Sequence, residues 1–217
     1  TTAAHLVLTK DASLTSKAIE NQAQSAAVCK GLLAVTPGSL MQEIADYSLQ
    51  FPLRALTHYK YTNDLRFLKK NLETSKEMIA HFEKYQREDG LLAGVDDKWN
   101  LVDWPENLRD GYDFPLLRPM DRNSPPHNVI NAFFIGAVLK TEEINNILGI
   151  PCEKKSKGLI EAFNRAFLNA DTGLYTDSES TLHSSLHSNV LPLFYGFCPK
   201  NSVGKICDLL LEKGFCC

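Results

Sequence analysis

The feature that most limits what this chain can fold into is a gap of nearly forty residues, roughly Asp89 to Pro126, between stretches of helical periodicity. On both sides of it, apolar residues recur at spacings of three and four, the period that lines one face of an α-helix. Leu65, Leu68, Leu72, Ile79 and Phe82 predict a helix, and Thr62-Asn63-Asp64 before it offers side-chain acceptors for the amide groups a helix start leaves unsatisfied. Upstream, Ile44, Tyr47, Phe51, Leu53, Leu56 and Tyr59 predict one helix or two short ones, with Pro52 in a first turn or at a kink. So few polar residues separate the two patterns that they should pack as an antiparallel hairpin.

Beyond the gap, Val129 to Leu148 is apolar around so much of its circumference that it must be largely buried. Gly149-Ile150-Pro151 breaks that pattern, Leu159, Phe163, Ala166 and Phe167 define the next helix, and Asp171-Thr-Gly-Leu-Tyr reads as a tight turn. A final pair is expected over His183 to Tyr195 and Ser202 to Leu211. Ahead of the gap, Ala18 to Val35 has helical composition, with an end expected near Leu33, before the turn signal Thr36-Pro37-Gly38-Ser39. Successive hairpins of this kind predict an all-α fold, an α/α toroid, and the length of 217 residues fits a single domain, 1–217. No exact repeat of fixed period is visible, which argues against tetratricopeptide and HEAT arrays.

Charge excludes one class of partner. Lys and Arg number 23 against 26 acidic residues, and they are scattered, so no basic stripe is available to track phosphates and nucleic acid is not expected. No apolar run is long enough to span a bilayer and no export signal is visible, giving an expectation of no membrane contact and a cytoplasmic location. The six cysteines match no metal or redox spacing and are expected to be reduced, mostly buried thiols.

The gap itself holds the chemistry. Loops longer than about 12–15 residues are usually functional or disordered, and Trp99, Trp104, Tyr112 and Phe114 would be costly to leave in water. Trp99-Asn-Leu-Val-Asp103-Trp104-Pro105-Glu-Asn-Leu-Arg109-Asp110-Gly111-Tyr112-Asp113 brings carboxylates, amides and flat rings together. That suits a sugar, which rests its C–H face on an indole and needs acceptors and donors for its hydroxyl rim. The alternative is that the tryptophans plug the end of a helical barrel. Asp110, Tyr112 and Asp113 are expected in a solvated loop, and Glu106 with Arg109 in a surface ion pair.

His183 and His187 lie four apart and would share a helical face, but His183-Ser-Ser-Leu-His187 lacks the intervening Glu of a zincin, so no metal is expected. Asn169 to Asp177 lacks the ligand spacing of a calcium loop. With no nucleophile elbow, phosphate-cradling loop or dinucleotide fingerprint, no cofactor is expected either.

Several blocks together resemble the bacterial α-L-rhamnosidase group of six-hairpin glycoside hydrolases. They are Ala45-Asp-Tyr-Ser-Leu-Gln-Phe-Pro52, Tyr59-Lys-Tyr-Thr-Asn-Asp64, Glu88-Asp-Gly-Leu-Leu92, Trp99-Asn-Leu-Val-Asp-Trp-Pro105, Asn128 with Asn131, and His183-Ser-Ser-Leu-His-Ser-Asn189 before Gly196-Phe197. The resemblance implies that the hairpins form part of an (α/α)6 barrel and that the substrate is a rhamnoside-like carbohydrate. It makes Asp103 an acceptor for sugar hydroxyls and Trp104 a wall of the subsite, with Trp99 a further candidate. It places His187 and Asn189 near the barrel mouth, to contact sugar or to cap buried backbone.

The sequence departs from the family at the reaction itself. The general acid of that family is a glutamate in an Asp-x-Pro-x-Arg-Glu segment followed by Trp-x-Gly-Asp, and nothing in Thr1 to Gly38 fits either. The general base is a glutamate near a Thr-x-Trp-Glu segment further along than Cys217. An inverting glycosidase needs both carboxyl groups, about 6.5–9.5 Å apart. The expectation is therefore an incomplete piece of an inverting glycosidase that supplies the Asp-Trp side of the pocket. The alternatives are a non-catalytic helical scaffold for carbohydrate or protein, or a six-hairpin glycosidase for another sugar.

Overall fold

The computed structural model describes residues 2–36, 41–42, 44–95, 98–100, 102, 106–114 and 124–214. Nine α-helices are present among them: α1 (Thr2–Thr9), α2 (Ser13–Ser25), α3 (Ala45–Leu49), α4 (Phe51–Thr62), α5 (Leu65–Phe82), α6 (Asn128–Ile147), α7 (Ser156–Phe167), α8 (Leu186–Tyr195) and α9 (Lys200–Lys213). The described residues contain no named strand, only isolated bridges such as Gln86 with Leu92 and Leu168 with Tyr175. The chain is thus all-α, as its periodicity predicts, and it divides into two compact units, Thr1–Lys84 with Gly136–Lys155 and Tyr85–Ile135 with Ser156–Cys217.

In the first unit α4 and α5 form the expected hairpin. Pro52 sits in the first turn of α4, where its missing N–H costs nothing, and the short α3 precedes it. Asn63 takes a left-handed conformation to end α4, and its N–H donates to Tyr59 O at 2.7 Å. Asp64 then caps α5 by accepting the Phe67 N–H on Oδ1 at 2.9 Å. Ala55, Leu56, Leu68, Leu72 and Ile144 close over one another as a core cluster.

Two details of the expected pattern differ. The buried stripe of α5 runs through Phe67, Leu68, Asn71, Leu72, Ser75, Met78 and Phe82, while Leu65 is exposed and Ile79 half-buried. Leu65 opens the helix beyond the reach of the core, and Met78 occupies the position under the stripe that Ile79 was expected to fill. Helix α2 stops at Ser25 instead of near Leu33, and Ala26 to Val28 continue only as tight turns. The cause is local competition for the backbone. Ser25 Oγ donates back to Gln22 O and accepts the Ala34 N–H, and Gln42 Nε2 donates to Ser25 O at 2.9 Å.

In the second unit, Phe163, Phe167, Tyr175 and Phe197 meet mostly edge to face around the fully buried Phe163. Helices α8 and α9 pack as the expected final pair, although α8 begins at Leu186, three residues later than the sequence pattern implies. Ser185 sets that start by accepting the Ser188 N–H on its hydroxyl. Of the cysteines, Cys29 and Cys198 are half-buried and Cys152 and Cys207 exposed, all as free thiols, so the expectation that they are mostly buried fails. Cys216 and Cys217 lie outside the described residues.

A clamp recurs three times along the chain. Gly31-Leu32-Leu33, Gly90-Leu91-Leu92 and Gly173-Leu174-Tyr175 each turn on a glycine with positive φ, +87°, +88° and +72°. In each case the third residue is hydrogen-bonded by the fourth residue of a following helix. Ser48 in α3 accepts the Leu33 N–H at 3.0 Å. Asn131 in α6 accepts the Leu92 N–H at 2.7 Å and donates to Leu92 O at 3.0 Å. Asn189 in α8 does the same to Tyr175, at 2.8 and 3.1 Å. Both asparagines also donate to the carbonyl just before their helix, His127 O and Ser185 O. The separation from Ser48 to Gly90 equals that from Asn131 to Gly173, at 42 residues. What varies is the distance across the clamp, 39 residues from Leu92 to Asn131 against 15 and 14 in the other two.

Candidate functional site

The enlarged loop is closed at its base by the Leu92–Asn131 clamp, and its interior is held by buried polar groups. Tyr112 and Phe114 pack with Val129, against Val102, Phe133 and Leu191. The Tyr112 hydroxyl lies 2.9 Å from His127 Nδ1 and 2.9 Å from Asp177 O, and it accepts the Val129 N–H at 3.1 Å. His127 stacks on Phe114 with ring centroids 4.4 Å apart, and its Nε2 lies 3.2 Å from Asn100 Oδ1.

Hydrogen-bond accounting constrains the proton on that imidazole. Asn100 Nδ2 donates to Val95 O and Lys98 O, which leaves its Oδ1 as an acceptor facing His127. Nε2 of His127 can then donate to Asn100 Oδ1, while the one phenolic hydrogen of Tyr112 lies between two acceptors, Asp177 O and His127 Nδ1. Burial keeps the ring neutral, lowering its pKa to about 3, with the Asp177 charge opposing only in part. Tyr112 is held un-ionised well above the usual phenol range, again chiefly by burial.

Asp177 is the hub on the other side. Its carboxylate is fully buried, yet Oδ2 accepts from the Asp113 N–H at 2.9 Å and from His183 Nδ1 at 2.6 Å. Oδ1 accepts from the Ser185 N–H at 3.0 Å and Ser188 Oγ at 2.7 Å. Burial alone would raise its pKa, but these four donors outweigh it and hold the group below the ordinary carboxylate range. Val95, Lys98 and Asn100 and the segments 110–114, 127–131 and 175–189 are thereby one connected polar lattice.

This lattice corrects the reading of Asp110, Tyr112 and Asp113 as a solvated loop. Tyr112 is buried, and Asp110, at φ +51°, accepts from the Leu186 N–H at 2.7 Å and Lys213 Nζ at 2.6 Å. Asp113 is exposed but anchored, accepting from Thr181 Oγ1 on Oδ2. His183 precedes α8 and His187 lies in its first turn, so the two do not share a helical face as their spacing implies.

Asp103 and Trp104 lie outside the described residues. Trp99 is half-buried beside the locked Asn100, and His187 is half-buried. Asn189 is fully buried, and both hydrogens of its amide nitrogen go to backbone carbonyls. The residues that sequence reasoning missed are Asn100, His127, Asp177, Ser185 and Ser188. A usable signal existed in the recurrence of Gly-Leu-Leu, Gly-Leu-Leu and Gly-Leu-Tyr ahead of polar residues that open helices.

Paired helices whose starts are clamped to preceding turns, with one enlarged loop on buried polar supports, define an all-α helical-hairpin protein. The chain belongs to the family described as the bacterial alpha-L-rhamnosidase 6 hairpin glycosidase domain, which it matches over residues 2–213. Similar solved structures agree on the fold. The rhamnosidase of glycoside hydrolase family 78 from Bacillus sp. GL1 superposes with a TM-score of 0.73 at 16% identity, over 94% of this chain and 21% of that one. The Klebsiella oxytoca rhamnosidase with rhamnose bound gives 0.68 at 14%, over 92% and 37%. The Streptomyces avermitilis α-L-rhamnosidase complexed with L-rhamnose gives 0.62 at 16%, over 91% and 18%. The chain therefore spans about a fifth to two fifths of the length of these relatives. No curated protein matches it significantly. None of its described helices is long and apolar enough to cross a membrane.

Proposed function

We propose that this chain is part of an inverting α-L-rhamnosidase and supplies the side of the sugar pocket that carries Asp103 and Trp104. The observation that carries the reading is the family match over residues 2–213. The enlarged loop supports it, because its base is clamped and its flanks are held by a buried lattice, as a preorganised binding segment requires. In this reading Asp103 accepts from sugar hydroxyls, Trp104 packs on the C–H face, and Trp99 and His187 border the pocket. Asn189 acts one step back, by holding the segment at Tyr175. The acid and base glutamates are supplied by polypeptide other than these 217 residues, so this side binds and orients. A cytoplasmic location is part of the same proposal.

The test is turnover of an aryl α-L-rhamnoside by the complete protein carrying Asp103→Ala or Trp104→Ala. Each substitution should lower kcat/KM by about tenfold or more, equivalent to one good substrate contact. Unchanged turnover in both would refute the assignment. Turnover of a different glycoside would instead select a six-hairpin glycosidase for another sugar.

A further inference from the structure

His183 has one ring nitrogen fixed inside the protein and the other directed away from that anchor. Nδ1 meets the fully buried Asp177 carboxylate at 2.6 Å, while 39% of the imidazole side chain is exposed. With Nδ1 engaged by the Asp177 carboxylate, Nε2 is the ring nitrogen left to meet a ligand, a lone-pair acceptor in the tautomer that carries its hydrogen on Nδ1, and its direction is set by Asp177. Among the described residues Nε2 makes no hydrogen bond. The orientation is rigid because Asp177 is itself held by Asp113, Ser185 and Ser188.

The surroundings keep this nitrogen accessible. Gly111 lies beside it, and a Cβ at that position would sit 3.6 Å from Nε2 and 3.7 Å from Cε1, so a larger side chain there would cover the ring edge. Two residues beyond Gly111, Asp113 is exposed, with Oδ2 engaged by Thr181 Oγ1 at 2.5 Å and Oδ1 free of hydrogen bonds among the described residues. An oriented imidazole acceptor and a carboxylate oxygen, brought together from two segments that both bond Asp177 Oδ2, suit a ligand carrying adjacent hydroxyl donors. A metal would need further ligands, and the described residues bring no group of three candidate ligands together.

We propose that His183 is a substrate-binding residue whose Nε2 accepts a hydrogen bond from a sugar hydroxyl, with Asp113 as its neighbour on the rim. This rests on the rhamnoside reading above, and places a second contact surface of the pocket at the start of α8. A purely structural role, in which the ring only satisfies Asp177, makes a different prediction for one substitution. In His183→Asn the carboxamide can replace Nδ1 as donor to Asp177 but has no counterpart of Nε2.

The experiment titrates the complete protein with L-rhamnose by NMR and compares wild type with His183→Asn, using urea denaturation to check folding. The expected result is a dissociation constant raised about tenfold in the variant, with an unchanged urea midpoint. An unchanged dissociation constant overturns the proposal. Should the variant fail to fold, histidine ¹⁵N spectra of the wild type decide: L-rhamnose should move the His183 Nε2 resonance and leave Nδ1 in place, and an unmoved Nε2 overturns the proposal. A wild type that ignores L-rhamnose but binds another monosaccharide, with the same loss in the variant, overturns the rhamnoside reading and upholds His183. A wild type that binds no monosaccharide overturns both.

Discussion

The carboxamide of Asn189 meets the N–H and the C=O of Tyr175 at 2.8 and 3.1 Å, occupying both polar groups of one residue as a paired strand would. Tyr175 is fully buried, so neither backbone group has water as an alternative. Truncation of Asn189 leaves both without their partner.

Asn189→Ala is therefore expected to destabilise the protein by about 2–4 kcal/mol, the cost of stranding two buried backbone groups. Asn189→Asp should be at least as harmful, because a carboxylate would face Tyr175 O and Ser185 O with no hydrogen to offer. Urea denaturation measures both. A midpoint close to wild type in Asn189→Ala would show that the amide is not a clamp.

Acid should unfold this protein through His127. The folded ring stays neutral to about pH 3, whereas the unfolded ring takes up a proton near 6.5. Between those values the unfolded state binds more protons, so stability falls as pH falls through the window. Asp177 adds loss in the same direction lower down, since its pKa is depressed and the stability it contributes disappears as it becomes protonated. His127→Gln should flatten the slope between pH 6.5 and 3 while lowering the midpoint at pH 7. A slope unchanged in the variant would remove His127 as its source.

Asp46 works in the opposite sense. The residue as a whole is half-buried, but its Oδ1 is sealed from solvent and makes no hydrogen bond among the described residues. Burial raises its pKa to about 6, against partial relief from backbone amides, Arg54 and Gln50. The unfolded group ionises near 3.8, so between pH 3.8 and 6 the folded state holds the extra proton and stability declines as pH rises. Asp46→Asn should raise stability at pH 7 by roughly 1–3 kcal/mol and abolish that decline. Thermal melts at pH 4.5 and 7 test both, and a variant less stable at pH 7 would contradict the account.

The start of α5 offers a smaller effect. Asp64→Ala removes the acceptor of the Phe67 N–H and should cost about 1 kcal/mol, while Asp64→Asn should cost little. Comparison of their thermal midpoints with wild type checks the cap, and equal midpoints for Ala and Asn would exclude it.

Helices α4, α5 and α6 were legible because their apolar residues follow the helical period and because Pro52 and Asp64 act locally. Helix α1 was not, since one buried residue, Leu6, leaves no stripe to detect. The position of the candidate site was legible as a break in that period. Its interior was not, because His127, Asn128, Asp177, Ser185 and Ser188 are polar types that ordinarily face water, yet all are buried. Their partners lie far along the chain, Tyr112 to Asp177 for example, and periodicity carries no information about such pairs. His183 and His187 misled for a related reason, since the Ser185 hydroxyl sets where α8 begins.

The clamp between Leu92 and Asn131 also makes the intervening segment a cassette. Because the two feet are joined by hydrogen bonds that do not involve the residues between them, a change of length that leaves the anchored residues Asn100, Asp110, Tyr112, Asp113 and His127 in place keeps the base closed and chiefly alters the entropy of closing the ring. Doubling its length would cost only about 0.6 kcal/mol. The same scaffold could thus exchange one set of contact residues for another without rebuilding the helices that carry it.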